Sequence, residues 1–233
     1  MKCIINESIY SFSDENLVLL GKGEEGSCYR IFKHKCFDNN LVMKIHHSNP
    51  TKKILDEKTC KNLTGIETSK FLLPRSLVYN EYGQYIGYIR EYKYVKYPTI
   101  RTLKIGKVIN EFYKLEKDVR VLSENNIYID DLNMDNTIFS DGIFIYDSGS
   151  FSLAEDENQK RFVGYYNKRR ISEYEIEEVL LNLFDFTKKE QKSIRNMFSN
   201  LDEFLSEYLS YIVSEKEAEN EGVKKFLKEQ VRQ

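Results

Sequence analysis

The chain has 233 residues, 41% apolar and 31% charged, enough for the packed core of one large domain or of two small lobes. Thirty-five Lys and Arg against 37 Asp and Glu leave a net charge of −2, so no global attraction draws it to nucleic acid or to anionic lipid. No run reaches the ~18 apolar residues of a membrane span, the N-terminus lacks a leader-like apolar core, and Cys3, Cys28, Cys36 and Cys60 form no C-x-x-C pair, which together predict a cytoplasmic protein with free thiols and no membrane partner.

In chain order, the first 97 residues read mainly as strands. "NLVLLG", "SCYRIFKH" and "NNLVMKIHH" are three apolar or alternating runs, the last following a turn signal at Asp38–Asn40. "TKKILDEKTCKNLTG" has helical spacing and stops near Gly65. "FLLPRSLVYN" and "QYIGYIREYKYV" follow as two strands across a turn at Glu81–Gly83. The predicted order is β-β-β-α-β-β, an antiparallel sheet with one inserted helix.

From about residue 100 the pattern turns helical. Ile105, Val108, Ile109, Phe112, Leu115, Val119 and Leu122 recur at three- and four-residue steps, the stripe of a buried helix face. Two short apolar runs flank Asp141–Gly142, a hairpin-type turn. "YEIEEVLLNLF", "KKEQKSIRNMF" and "LDEFLSEYLSYIV" then read as three helices, and the charged tail as a solvated helix or a frayed end. The strand-to-helix shift divides the chain into an N-terminal lobe, 1–93, and a helical C-terminal lobe, 94–233.

Polar residues interrupt these runs where a cleft residue would project. Gly21, Gly23 and Gly26 fall at spacing G-x-G-x-x-G, with Lys22 inside and Cys28 two places on. Lys44 lies in "LVMKIH", Glu57 in the helix, Asp131 and Asn136 in "DDLNMDN", and Asp147 opens "DSG" after "IFIY". A transferase that uses a nucleoside triphosphate needs these parts. A lysine supplies charge to the phosphates, and a carboxylate fixes its mobile side chain. Hard oxygen ligands hold magnesium, and a further carboxylate orients the acceptor hydroxyl. Glycines let backbone N–H groups approach phosphate closely.

The ordered set resembles the eukaryotic-type protein kinase family. "GKGEEGSC" resembles G-x-G-x-x-G-x-V, with Cys28 at the Val place, and "LVMKI" resembles the V-A-I-K strand. "IDDLNMDN" is similar to H-R-D-L-x-x-x-N and "DSG" to D-F-G. The resemblance implies an α+β, two-lobed protein kinase-like fold that binds ATP and Mg²⁺ and phosphorylates a Ser or Thr hydroxyl. By the same resemblance Lys44 binds phosphate with Glu57 as its helical partner, and Asp131 serves as base. Asn136 and Asp147 are the implied magnesium ligands, and Gly21, Lys22, Gly23, Gly26 and Cys28 cover the nucleotide. Glu91 and Tyr92 offer backbone groups to adenine, with Arg90 at the gatekeeper place.

The departures open alternatives. Ile129 and Asp130 replace His and Arg, Asn133 replaces the catalytic-loop lysine, Ser148 replaces Phe and its aromatic plug, and no A-P-E follows Asp147. A small hydroxyl-bearing acceptor, as in the aminoglycoside and choline kinases, and a nucleotide-binding pseudokinase scaffold therefore stand beside a protein substrate. Taken singly, each residue also has a plain structural reading: a hairpin glycine, an edge lysine, a turn aspartate. The three histidines, His34, His46 and His47, read as surface residues and "KRR" at 168–170 as a solvated face.

Overall fold

Asn6 and Glu7 both take left-handed backbone angles (φ 48° and 64°), the geometry that closes a two-residue hairpin. This hairpin, β1 (Lys2–Ile5) and β2 (Ser8–Ser11), opens the computed structural model and was not anticipated from sequence. The structure describes residues 1–97, 99–184, 186–197, 203, 206 and 220–230. The five expected strands follow as β3 (Leu17–Lys22), β4 (Gly26–Ile31), β5 (Leu41–His46), β6 (Pro74–Tyr79) and β7 (Tyr85–Glu91). All seven join one antiparallel sheet in the order β2-β1-β6-β7-β5-β4-β3.

The inserted helix α1 (Glu57–Leu63) is shorter than its sequence pattern. It begins where the Asp56 carboxylate accepts the Thr59 N–H at 2.8 Å, an N-cap that leaves 51–55 outside the helix. Its buried face, Thr59, Cys60 and Leu63, meets the main core. A smaller core, which includes Cys3, Ile5, Phe12, Ile31 and Met43, holds the new hairpin to the sheet. All four cysteines are free thiols.

The long helix α2 (Ile105–Glu124) buries all seven residues of the predicted stripe. After it come β8 (Ile127–Tyr128), the hairpin β9 (Thr137–Phe139) and β10 (Ile143–Ile145), and β11 (Ser152–Leu153), which pairs with β8. Helix α3 (Glu157–Glu173) lies ahead of the three helices expected after the hairpin. It runs into a wider π turn, Tyr174–Leu180, and a short α4 (Leu181–Leu183). Helices α5 (Lys188–Met197) and α6 (Asn220–Gln230) complete the described helices, and the helix expected over 201–213 lies outside the described residues except for 203 and 206. Among the described residues no helix is long and apolar enough to cross a membrane.

The main core joins both halves of the chain. Leu63, Phe71 and Tyr88 from the sheet side share it with Phe112, Ile129 and Phe151. Ser148, at the place of the expected aromatic plug, is buried, and an aromatic from the same segment, Phe151, fills the core beside Phe71 with ring centroids 6.0 Å apart.

Candidate active site

A cleft of about 670 Å³ lies between the sheet and the helical half, a size suited to a nucleotide-sized ligand. Its roof is the β3–β4 turn. Gly26 has to be glycine, because a Cβ there would stand 2.2 Å from the Ile45 carbonyl oxygen of β5. A Cβ at Gly21 or Gly23 would meet nothing within 4 Å, so their missing side chains leave open space beside the loop.

Lys44 is presented by β5, directly opposite Cys28 of β4, and both line the cleft. Its Nζ donates to the two Asp147 oxygens at 2.9 and 3.1 Å, although the residues are 103 positions apart in sequence. The Lys44 partner expected from sequence was Glu57, and the structure corrects this. Glu57 is exposed at the first turn of α1, where its carboxylate accepts the Tyr79 hydroxyl at 2.9 Å. The second carboxylate on Lys44 is Glu25, from the glycine turn, at 2.6 Å. Glu57 is the first residue of α1, and its carboxylate is held by Tyr79 of β6. A warning was present in the sequence: two adjacent acids, Glu24 and Glu25, in a loop expected to receive an anion. Their side chains part company, Glu24 pairing with Lys52 at 2.8 Å on the surface while Glu25 turns inward.

Burial alone would lower the Lys44 ammonium, but Tyr88, Asp147 and Glu25 outweigh it and raise its pKa. Burial would likewise raise the Asp147 carboxyl, and the adjacent Lys44 with the Gly149 N–H holds it below the usual carboxylate range. His46, two residues on in β5, is no surface residue. Both its ring nitrogens are buried with no hydrogen-bond partner among the described residues, and burial together with the Lys44 charge lowers its pKa to about 4.

The floor is built by the turn after β8. Asp131 has a left-handed backbone (φ 55°), uncommon for a residue with a side chain and concentrated at functional sites. Asn133 donates to its carboxylate at 2.8 Å, and Asn136 donates to its carbonyl at 2.8 Å and to its carboxylate at 3.2 Å. Asp131, Asn136 and Asp147 all line the cleft. Asn167 of α3, fully buried, accepts the Ile129 N–H at 2.9 Å and donates to the Ile127 carbonyl at 2.7 Å and to Ser123 at 2.9 Å. Asp130, at the expected arginine place, accepts the Tyr166 hydroxyl, and its carbonyl accepts from Ser150 at 2.9 Å. The segment between Asp147 and α3 is thereby tied to the floor at several points.

Next to Arg90 stand Glu91 and Tyr92, whose backbone groups the resemblance offers to adenine. The structure has them engaged: the Glu91 carbonyl accepts Nη1 of Arg90 at 3.0 Å, and the Tyr92 N–H donates to Asn40 at 2.7 Å. Among the described residues no three His, Cys, Asp or Glu side chains gather as a metal cluster. Asp147 and Asn136 offer one carboxylate and one amide oxygen, a sparse hard-oxygen set that fits Mg²⁺ when phosphate oxygens and water complete the shell.

The glycine turn, Lys44, Asp131, Asn136 and Asp147 thus converge on one crevice, with the lysine of the sheet touching the aspartate that follows β10. The chain has a protein kinase-like fold. A crystal structure of the Mycobacterium tuberculosis PknI kinase domain aligns with a TM-score of 0.54 at 13% identity, over 95% of this chain and 100% of that one. A cysteine-to-alanine mutant of the same domain gives 0.53 at 13% identity, over 95% and 99%. No protein-family model matches the sequence, and no curated protein matches it. The kinase-like architecture is α+β, an antiparallel sheet with one helix followed by a mainly helical half.

Proposed function

We propose that the protein is a phosphotransferase, passing the terminal phosphoryl group of a nucleoside triphosphate to a hydroxyl. ATP with Mg²⁺ is the donor that the kinase-like fold implies, and a Ser or Thr side chain is the acceptor that the sequence motifs imply. The observation that carries the reading is the contact of Lys44 with Asp147 in the same cleft as the glycine turn, Asp131 and Asn136.

Each residue has work suited to its setting. Lys44 presents a buried positive charge to phosphate oxygens, strongest where water is excluded. Asp147 and Asn136 would hold Mg²⁺, which when bound neutralises phosphate charge. Asp131, fixed by Asn133 and Asn136, accepts the proton side of an incoming hydroxyl and aims its oxygen. The glycine turn closes over the phosphates and keeps water out.

Phosphoryl transfer from radiolabelled nucleoside triphosphate tests the reading, with protein and small hydroxyl-bearing acceptors. The small ones belong in the panel because only residues 148–156 separate Asp147 from α3, which leaves little ledge for a peptide. Asp131→Asn and Asp147→Ala should each lower the rate by orders of magnitude. Equal silence of the native protein and both variants across the panel refutes catalysis. A second reading, a nucleotide-binding scaffold, is favoured by Glu25 on the phosphate-binding lysine and by Asn133 in the place of a cation. Thermal stabilisation by nucleotide without turnover would select it, since ligand at 100 times its Kd adds ~2.7 kcal/mol.

A further inference from the structure

The apolar lining of the cleft includes Leu20, Val42, Val95 and Ile138, and Arg90 lines the same cleft. Arg90 is 5% exposed and stands opposite Val42 on the β5–β7 ladder. Its guanidinium carbon lies 5.3 Å from the centroid of the Tyr146 ring, which lines the same cleft. Among the described residues no carboxylate comes within ion-pair distance of it, and its hydrogen bond is to the Glu91 carbonyl. A guanidinium carries five N–H donors and no acceptor. Buried charge is costly unless hydrogen-bonded, and with Nη1 on the Glu91 carbonyl it is the Nε and Nη2 side of the guanidinium fork that remains to bond a base entering the cleft.

Resting on the nucleotide reading above, the geometry points to guanine rather than adenine as the preferred base, with Arg90 as the residue that selects it. Guanine presents two adjacent acceptors, O6 and N7, which match the fork. The same edge of adenine sets a donor, the 6-amino group, beside N7, so N–H would face N–H. The Glu91 carbonyl already accepts Nη1 of Arg90, so an adenine amino group would have to share that oxygen beside a like-facing donor. The Tyr92 N–H, engaged with Asn40, offers adenine no compensation. A bidentate arginine–guanine contact separates right from wrong base by roughly five- to 150-fold.

Calorimetric titration of the full chain with GDP, IDP and ADP, in the presence of Mg²⁺, tests the assignment without relying on turnover. GDP should bind at least fivefold tighter than ADP. IDP, which keeps O6 and N7 but lacks the 2-amino group, should follow GDP within about twofold. Arg90→Met should bring GDP and ADP within about twofold of each other. Arg90→Lys, which keeps the charge but not the fork, should also lose most of the discrimination, and it serves if the Met variant does not keep the native melting transition. ADP binding as tightly as GDP overturns the inference, as does a GDP preference that survives in a folded Arg90 variant. Failure of all three nucleotides to bind overturns the nucleotide reading itself, which separates the two failures.

Discussion

Glu25 sits on the lysine that nucleotide phosphate would need, so its removal should tighten nucleotide binding. In Glu25→Ala, Lys44 keeps Asp147 and loses the carboxylate at 2.6 Å. At that distance an effective dielectric of about 20 gives roughly 6 kcal/mol of gross attraction. Desolvation offsets most of it, because the Lys44 side chain is 7% exposed and the Glu25 side chain 18%. Hydrogen bonds to charged groups contribute about 1.5–3 kcal/mol net. Displacing Glu25 should therefore cost a phosphate-bearing ligand roughly ten- to a hundredfold in affinity. The assay is calorimetric titration of native, Glu25→Ala and Glu57→Ala protein with a nucleoside diphosphate and with its nucleoside. Glu25→Ala should tighten the diphosphate alone, because the nucleoside has no phosphate to seat. Glu57→Ala should change neither, since Glu57 bonds Tyr79 on the surface. Unchanged or weaker diphosphate binding in Glu25→Ala would refute the reasoning and make Glu25 a support for Lys44 instead.

Two stability predictions follow from groups behind the cleft. His46 is held neutral to about pH 4, whereas an unfolded histidine takes its proton near pH 6.5. Between those values the unfolded chain binds more protons, so stability should fall as pH drops from about 6.5 to about 4. Urea melts of native and His46→Phe protein at pH 7 and pH 5 check this, the variant losing less on acidification. Asn167→Ala would leave the Ile129 N–H and the Ile127 carbonyl without their partner in the core, at about 2–4 kcal/mol. An unfolding free energy from urea melts within about 0.5 kcal/mol of native would show that water replaces the amide.

The strands were legible because their side chains alternate, and α2 because seven apolar residues mark one face. Lys44, Asp131, Asn136 and Asp147, which line one cleft, stood out in the sequence because each interrupts or ends an apolar run at a recognisable spacing. Helix α3 was not, because its buried side includes Asn167 and Ser172 as well as Val163 and Ile171. A helix that packs by hydrogen bonds leaves a weak apolar period. Glu25 and the engaged groups at Glu91 and Tyr92 were hidden for another reason. Spacing places a residue on a loop but does not say which way its side chain turns, nor which distant carbonyl its N–H will meet. The four-residue strands β1 and β2 were too short for alternation to show.

The nine residues 148–156 are anchored at several points: the Gly149 N–H on Asp147, Ser150 on the Asp130 carbonyl, and two strand positions on β8. So short a tether is held along its length, and the Tyr166 hydroxyl donates to the neighbouring Asp130 carboxylate. At the roof of the crevice the Glu25 carboxylate lies 2.6 Å from the Lys44 ammonium, so an incoming anion would meet an acid already seated on that lysine.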